Sequence, residues 1–453
     1  MDQDNLQNDI VTGILTQNRD NGAFDPAEFS RYQVKPGLRN ADGTGVVAGL
    51  TRICNVHGYL INEGERAPIE GRLIYRGYDV EALANGFLSQ DRFGFEETIY
   101  LLLSGQLPNE KELSDFHALL MQDAELPKHF IQDIILRSPA ENIMNVLSRA
   151  VLALYSYDPE AESFSPKTVL RQSVRLIAAM PKMMVAAYEA KLYAIDNKDM
   201  HFHKHDETKS IAENILMMLR NDRKYTEQEA KLLDLCLVLH ADHGGGNNST
   251  FTVRTLTSAL TDTYSAISAG IGSLKGFRHG GANYKVSEML DGIRRAVSNP
   301  ADKAEIQAAL EQIVSRQAGD GSGLVYGIGH AVYTLSDPRA KMLKAHLAEL
   351  TPGTPQEETF QIACAVEELA PEILRRKKGD NINLCANVDL YSGITYQLLG
   401  IPEELFTPLF CVSRVAGWCA HRMEELTMPA SKIIRPAYKS IQAERAYIPL
   451  EER

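Results

Sequence analysis

The hydrophobic pattern of the chain changes period once. The first 40 residues are mostly polar and read as having neither a helical nor a strand repeat. Over residues 46–78, β-branched and aromatic side chains alternate with glycine, which predicts a small β-ribbon or hairpin, because alternate side chains of a strand face opposite sides. Beyond that the spacing is helical nearly everywhere. Leu113, Phe116 and Leu120 follow Pro108 on one helix face, and Ile143, Leu147, Ala150 and Leu154 form a second stripe. Val286, Met289, Leu290, Ile293 and Val297 make a third, and Met342, Leu343, Leu347 and Leu350 a fourth. Helices separated by Gly and Pro predict an all-α, multi-helical fold carrying a small N-terminal β-ribbon.

Two stretches depart from ordinary amphipathic helices. The segment with Leu232, Leu233, Leu235, Cys236, Leu237, Val238 and Leu239 is apolar almost all round, so it belongs inside the larger domain. In residues 258–276 small side chains recur (Ser258, Ala259, Ser265, Ala266, Ala269, Gly270, Gly272), which suits close helix packing, either within the chain or between subunits. Gly276, Gly280 and Gly281 then bracket His279, and a glycine-flanked joint can act as a hinge.

Composition narrows the field. A length of 453 residues allows two or three domains, and 44% apolar with 23% charged residues is the balance of a soluble globular protein. No window approaches a membrane span. The acidic, polar start fits neither a signal nor a transit peptide, so a cytoplasmic location is expected. The six cysteines show no CxxC spacing and are expected as reduced core residues. A net charge of -12 argues against nucleic acid or an anionic membrane as partner, so an anionic substrate must be met locally. Arg375-Arg376-Lys377-Lys378 and the basic tail over residues 431–453 are two places for that, or simply solvated charge.

The candidate chemistry is concentrated in a few motifs. His240 and His243 stand in Leu-His-Ala-Asp-His-Gly-Gly-Gly-Asn-Asn at the end of the buried helix, where a polar group needs a partner. His279 and His330 lie in glycine-rich turns that admit a ligand close to the backbone. In Ser336-Asp337-Pro338-Arg339, Asp337 reads as an N-cap and Pro338 as the first helical residue, placing Arg339 on a first turn as an anion clamp or as a plain surface arginine. Asp389 starts another helical stretch and from spacing alone reads as an N-cap. Arg414 interrupts an apolar helix, where a cation should not be buried without an anion. Arg435 precedes Pro436, which leaves its backbone extended and its side chain able to reach another surface. Gly327-Ile328-Gly329 and Gly270-Ile271-Gly272 do not complete a dinucleotide fingerprint. His201-Phe202-His203-Lys204-His205-Asp206 has the wrong order for a metallo-hydrolase motif.

Taken in order, HADH, RHGGAN, GxGHAVY with DPR, NVDxYSG, LFxVSR and IIRP, preceded by Gly37-Leu38-Arg39, LIYRGYD and ETIYLLL, resemble the citrate synthase family. The resemblance implies a mostly helical homodimer: a large domain from residues 1–278 and 394–453, and a small domain from 279–393 closing over oxaloacetate and acetyl-CoA. It implies condensation to citrate and free CoA through an enol(ate) and citryl-CoA, without a metal or other cofactor. It assigns Asp389 as base, His279 as donor to the enol(ate) oxygen and His330 as donor to the ketone. It gives His243, Arg339, Arg414 and Arg435 to oxaloacetate, the last from the other subunit. Tyr326, Gly327, Ile328, Gly329, Lys377 and Lys378 are looser matches for CoA. The family includes 2-methylcitrate synthases that use propionyl-CoA. Two rivals from other classes are a metal-dependent hydrolase built on His201, His203, His205, His240 and His243, and a non-catalytic acyl-CoA or dicarboxylate sensor. The chain departs from the family pattern in its first 40 residues and at Gly244-Gly245-Gly246, where many relatives carry an acidic residue.

Overall fold

Alternation of side chains produces the expected ribbon. Strand β1 (Cys54–Asn62) pairs antiparallel with β2 (Glu65–Tyr75), and β2 with the short β3 (Tyr78–Asp79). Leu73 and Tyr75 on one face of β2 are fully buried, as is Ile53 just ahead of β1, whereas the far end of the hairpin stands in solvent. In this computed structural model, residues 3–40, 42–63, 65–379, 384–429 and 431–453 are described.

The chain forms two compact units, Gly49–Ile434 and a terminal one of Met1–Ala48 with Arg435–Arg453. In the terminal unit, α1 (Gln3–Gly22) and α2 (Pro26–Arg31) replace the patternless start expected from sequence. Helix α2 has a capping box between Asp25 and Glu28. Helix α1 does carry a short helical stripe, Ile10, Val11, Ile14 and Leu15 at i, i+1, i+4 and i+5, set in an otherwise polar segment, and all four are exposed.

The larger unit is helical after the ribbon: α3 (Val80–Ser89), α4 (Phe95–Ser104), α5 (Glu110–Asp123), α6 (Ile143–Leu154), α7 (Pro166–Ala194), α8 (Ile211–Leu219) and α9 (Glu227–His240). There follow α10 (Asn248–Ser258), α11 (Thr263–Leu274), α12 (Ala282–Ala296), α13 (Lys303–Val314), α14 (Pro338–Leu350), α15 (Glu357–Lys378), α16 (Asp389–Leu398) and α17 (Phe406–Thr427). Helices α7, α9 and α17 form the core, and α9 is buried all round from Leu232 to His240, as its composition requires. Helices α12, α13, α15 and α16 pack on one another, with α14 against α16, and they meet the core where α12 touches α17 and α16 touches α9. All six cysteines are free thiols, five of them buried. Among the described residues, no helix is long and apolar enough to cross a membrane.

Candidate active site

The end of α9 is clamped so that its following turn is rigid. Tyr75 donates its hydroxyl among the carbonyls of Val238 and Asp242, each 3.1 Å away. Gly417 of α17 donates its N–H to the Ala241 carbonyl at 3.2 Å, and a Cβ there would stand 2.5 Å from that oxygen, so only glycine allows the approach. His240 Nδ1 lies 2.8 Å from the Cys236 carbonyl, which only accepts, so Nδ1 carries the proton. Burial, with Arg339 next, pushes His240 down to about 3. His243 sets its ring 5.2 Å from that of His330 and 5.5 Å from that of Tyr333, and its buried Nε2 has no partner among the described residues. Burial and the charges of Arg339 and Arg414 hold it well below the usual histidine value.

His330 and Asp389 are brought together by a short backbone pairing. Gly329 donates to the Cys385 carbonyl and Asn387 to the Gly327 carbonyl, both at 2.8 Å, and the Asn387 amide donates to the Gly329 carbonyl at 3.0 Å. Gly327 and Gly329 hold φ of 81° and 102°, the left-handed region that glycine enters without strain. His330 Nδ1 accepts the N–H groups of Val332 and Tyr333 at 3.0 and 2.9 Å, so its proton resides on Nε2. Asp389 is the first residue of α16, and among the described residues its side chain caps no helix N–H; Asn387 Oδ1 takes the Asp389 N–H at 3.0 Å instead. Its carboxylate is thereby released from the N-cap role that spacing suggested. Burial pushes Asp389 up to about 6, against the lowering effect of Arg339.

The two arginines of this cluster are in opposite states. Asp337 caps α14 as expected, accepting Arg339 N–H at 3.0 Å. It also takes Nε and Nη2 of the same arginine at 3.0 and 2.7 Å and the N–H of Val388 at 3.2 Å. Burial would raise the Asp337 carboxyl, but Arg339 outweighs it and holds the group below its ordinary value. Arg339 is 4% exposed, which removes the surface-arginine reading. Arg414 is fully buried, donates Nε to the His240 carbonyl at 2.7 Å and lies 4.6 Å over the Phe410 ring. Its Nη1 and Nη2 have no partner among the described residues. A buried guanidinium with both terminal nitrogens open is costly alone and suited to a carboxylate.

His279 follows α11 in a tight turn: Gly280 donates to the Leu274 carbonyl at 2.9 Å, and a Cβ at Gly280 would stand 2.7 Å from that oxygen. Its Nε2 is 2.9 Å from Ser249 Oγ, which also receives Trp418 Nε1 at 3.2 Å and lies 2.9 Å from Asn247 Oδ1. The single hydroxyl proton of Ser249 is shared between Asn247 and His279, and where it goes sets the imidazole tautomer. Burial, with Arg414 second, brings His279 down to about 4, so it is neutral at pH 7.

His243, His279, His330, Arg339, Asp389 and Arg414 thus share one electrostatic neighbourhood. Arg435 is exposed in the terminal unit. Of the looser matches, Tyr326 donates to Asp320 at 2.7 Å, Ile328 bridges Ala386, Lys377 is bonded to the Val314 carbonyl, and the Lys378 side chain lies outside the described residues. The histidines of the metal reading do not gather: His205 Nε2 is 3.2 Å from the Met121 carbonyl, and His240 is committed to Cys236. Among the described residues no three His, Cys, Asp or Glu are grouped to hold a metal ion. Sequence reasoning missed Ser249, Tyr333, Phe410 and Asn387 as site residues; only Asn387 carried a signal, as an Asx residue two positions before a helix start.

A family profile described as citrate synthase, C-terminal domain, matches residues 40–437. The chain belongs to the citrate synthase family. It is 35% identical to citrate synthase 2 of Bacillus subtilis over 390 residues, which covers 85% of this chain and 94% of that one. A 2-methylcitrate synthase of Shewanella oneidensis is 31% identical over 84% of this chain and 92% of its own. Among solved structures, citrate synthase of the archaeon Thermoplasma acidophilum, in a ternary complex with carboxymethyl coenzyme A and oxaloacetate, aligns with a TM-score of 0.76 and 28% identity, covering 93% of this chain and 99% of that chain. The family assignment and the all-α fold with its small antiparallel sheet agree with the sequence reading. Helix α1 falls outside the residues that the family profile matches.

Proposed function

We propose that this chain condenses acetyl-CoA with oxaloacetate and water to give citrate and free CoA. The observation that carries this reading is Arg414: a buried guanidinium with two open nitrogens, beside the two neutral imidazoles of His243 and His279, the His330 ring whose Nδ1 accepts two backbone N–H groups, and a raised carboxylate. One substrate carboxylate pairs with Arg414, and Arg339, already braced by Asp337, supplies further positive charge. His243 contributes its open Nε2, and Arg435 reaches the site from a second copy of the chain. The partly exposed face of Ser265, Ala269 and Ser273 on α11 supports such a dimer.

Each step then has a residue suited to it. Asp389 takes a proton from the acetyl methyl; lifted to about 6, it is a stronger base than an ordinary aspartate and still mostly ionised at pH 7. A thioester methyl is far too weak an acid for this alone, so the enol(ate) oxygen must be stabilised as it forms. His279, neutral and fixed by its turn, donates that hydrogen bond from Nδ1 in the tautomer whose Nε2 accepts the Ser249 hydroxyl; an oriented donor of this kind is worth ~10²- to 10³-fold in rate. His330 donates Nε2–H to the ketone oxygen, which makes that carbon the electrophile. The new carbon–carbon bond gives citryl-CoA, and water cleaves its thioester.

The mutually packed helices α12, α13, α15 and α16 support a small domain over residues 279–393 that closes on the remainder of the larger unit. Tyr326, Gly327, Ile328, Gly329 and Lys377 are the groups assigned to CoA, and Tyr326 would have to leave Asp320 and Lys377 the Val314 carbonyl to serve. A single methylene in an apolar pocket is worth only about 1–3 kcal/mol, and a 2-methylcitrate synthase is among the relatives, so propionyl-CoA is the second acyl donor to consider. NMR identification of the product formed from oxaloacetate with each acyl-CoA tests both readings. Citrate as the favoured product supports the first, 2-methylcitrate at higher kcat/KM the second, and neither product refutes both.

A further inference from the structure

The turn that carries His243 is held by a buried polar chain that the mechanism above does not use. His421 of α17 is fully buried and sets Nε2 2.9 Å from Oδ2 and 3.2 Å from Oδ1 of Asp242. Its Nδ1 faces Arg254 of α10, whose Nε and Nη2 lie 3.0 and 2.7 Å away. A guanidinium only donates, so Nδ1 must present its lone pair, the one ring proton sits on Nε2, and that N–H is delivered to Asp242. Arg254 is in turn gripped by Glu425 at 2.7 Å and by Glu424, and Glu424 also accepts the N–H of Arg52 at 2.7 Å, just ahead of β1.

Asp242 is the residue next to His243, and its Oδ1 also accepts Gly244 N–H at 2.8 Å, so one carboxylate braces the backbone on both sides of that histidine. Its negative charge is the carboxylate field felt by Arg414. The fit is tight: a Cβ on Gly417 would stand 2.7 Å from Asp242 Oδ2. Without the N–H from His421, the Asp242 carboxylate would lose a buried donor and be free to turn toward the open nitrogens of Arg414, where it would compete with the substrate.

We propose that His421 is a positioning residue for oxaloacetate: through Asp242 it fixes the His243 turn and keeps the Arg414 guanidinium open for the substrate. The proposal rests on the reading of this cluster as the oxaloacetate site. It places the effect of His421 on dicarboxylate affinity and leaves the chemical step alone.

The test uses full-length His421→Leu and His421→Gln, with calorimetric titration of oxaloacetate and steady-state kinetics. A buried acceptor stripped of its donor costs enough to raise the Kd and KM for oxaloacetate ~10- to 100-fold in the Leu variant. Its kcat, and its KM for acetyl-CoA at saturating oxaloacetate, stay within about threefold of wild type. Gln, which offers an acceptor and a donor side by side, recovers most of the affinity. A fall in kcat with unchanged oxaloacetate affinity, a drop in Tm with neither changed, or equal defects for Leu and Gln overturns the proposal. Should the Leu protein not fold, Arg254→Lys carries the same test: it cannot present the two-pronged donor to Nδ1, so the KM for oxaloacetate rises and that for acetyl-CoA does not, and no rise overturns the proposal. Wild-type protein that binds no oxaloacetate would refute the assignment of the pocket itself, and this proposal with it.

Discussion

Asp337 holds Arg339 by the backbone N–H, Nε and Nη2 at once, within 2.7 to 3.0 Å, and both residues are buried. The same carboxylate accepts the N–H of Val388, the residue before Asp389. One acid therefore caps α14, pairs the buried Arg339 cation and anchors the start of the helix that carries Asp389. Asp337→Asn keeps a capping oxygen but strands the cation, and breaking a buried pair from one side costs about 3–5 kcal/mol. Urea unfolding should show that loss, and Asp337→Asn combined with Arg339→Met should recover most of it. Equal stabilities for the single variant and wild type would contradict the role given to the pair.

Arg414 presents the converse case. Its open nitrogens cost stability until an anion arrives, so Arg414→Met should leave the substrate-free protein as stable as wild type or up to about 4 kcal/mol more so. Oxaloacetate should raise the Tm of wild type and fail to raise that of the variant. A variant still stabilised by oxaloacetate would place the substrate carboxylate elsewhere.

Asp389 makes a prediction with a defined sign. Its value in the fold, about 6, lies above the ordinary 3.8, so the folded protein binds a proton more readily than the unfolded chain. Ionised Asp389 therefore lowers stability: between about pH 4 and 6 wild type loses stability relative to Asp389→Asn as pH rises, and above that window the gap stays constant. Partial solvent access limits the gap to on the order of 1–3 kcal/mol. The acidic limb of kcat/KM should fall near pH 6, and turnover in Asp389→Asn should drop ~10²- to 10⁴-fold with oxaloacetate binding retained. pH-dependent chemical denaturation and rate profiles check both, and unchanged turnover would place the base elsewhere.

How far the sequence reveals this arrangement depends on the range of each interaction. Arg414 was legible because a cation in an apolar helix violates a local rule, and the Asp337 cap because its donor is two residues away. Asp389 misled: spacing made it the cap, and only the pairing of 327–329 with 385–387 shows that Asn387 takes that role. His421 could not be read at all, since its partner Asp242 is 179 positions away and nothing local marks the pair. Helix α1 is a miss of a different kind: Ile10, Val11, Ile14 and Leu15 stand at helical spacing, but the stripe is short and its flanks are polar, so the segment reads as patternless on composition.

Arg435 is exposed in this chain, and its proposed role in a second subunit is directly testable. Arg435→Ala and Asp389→Ala should each be inactive alone. Mixed under conditions that exchange subunits, they should regain up to about a quarter of wild-type activity per subunit, because random pairing leaves one intact site in half of the dimers. Mixed dimers that form and stay inactive would confine Arg435 to its own chain.

The central claim is that this cluster deprotonates acetyl-CoA and joins it to oxaloacetate. The most direct measurement is the rate of free-thiol release from acetyl-CoA by the purified wild-type protein, with and without oxaloacetate. Rapid release that requires oxaloacetate and yields one citrate per thiol is the expected result; thiol release that ignores oxaloacetate, or none at all, would contradict it.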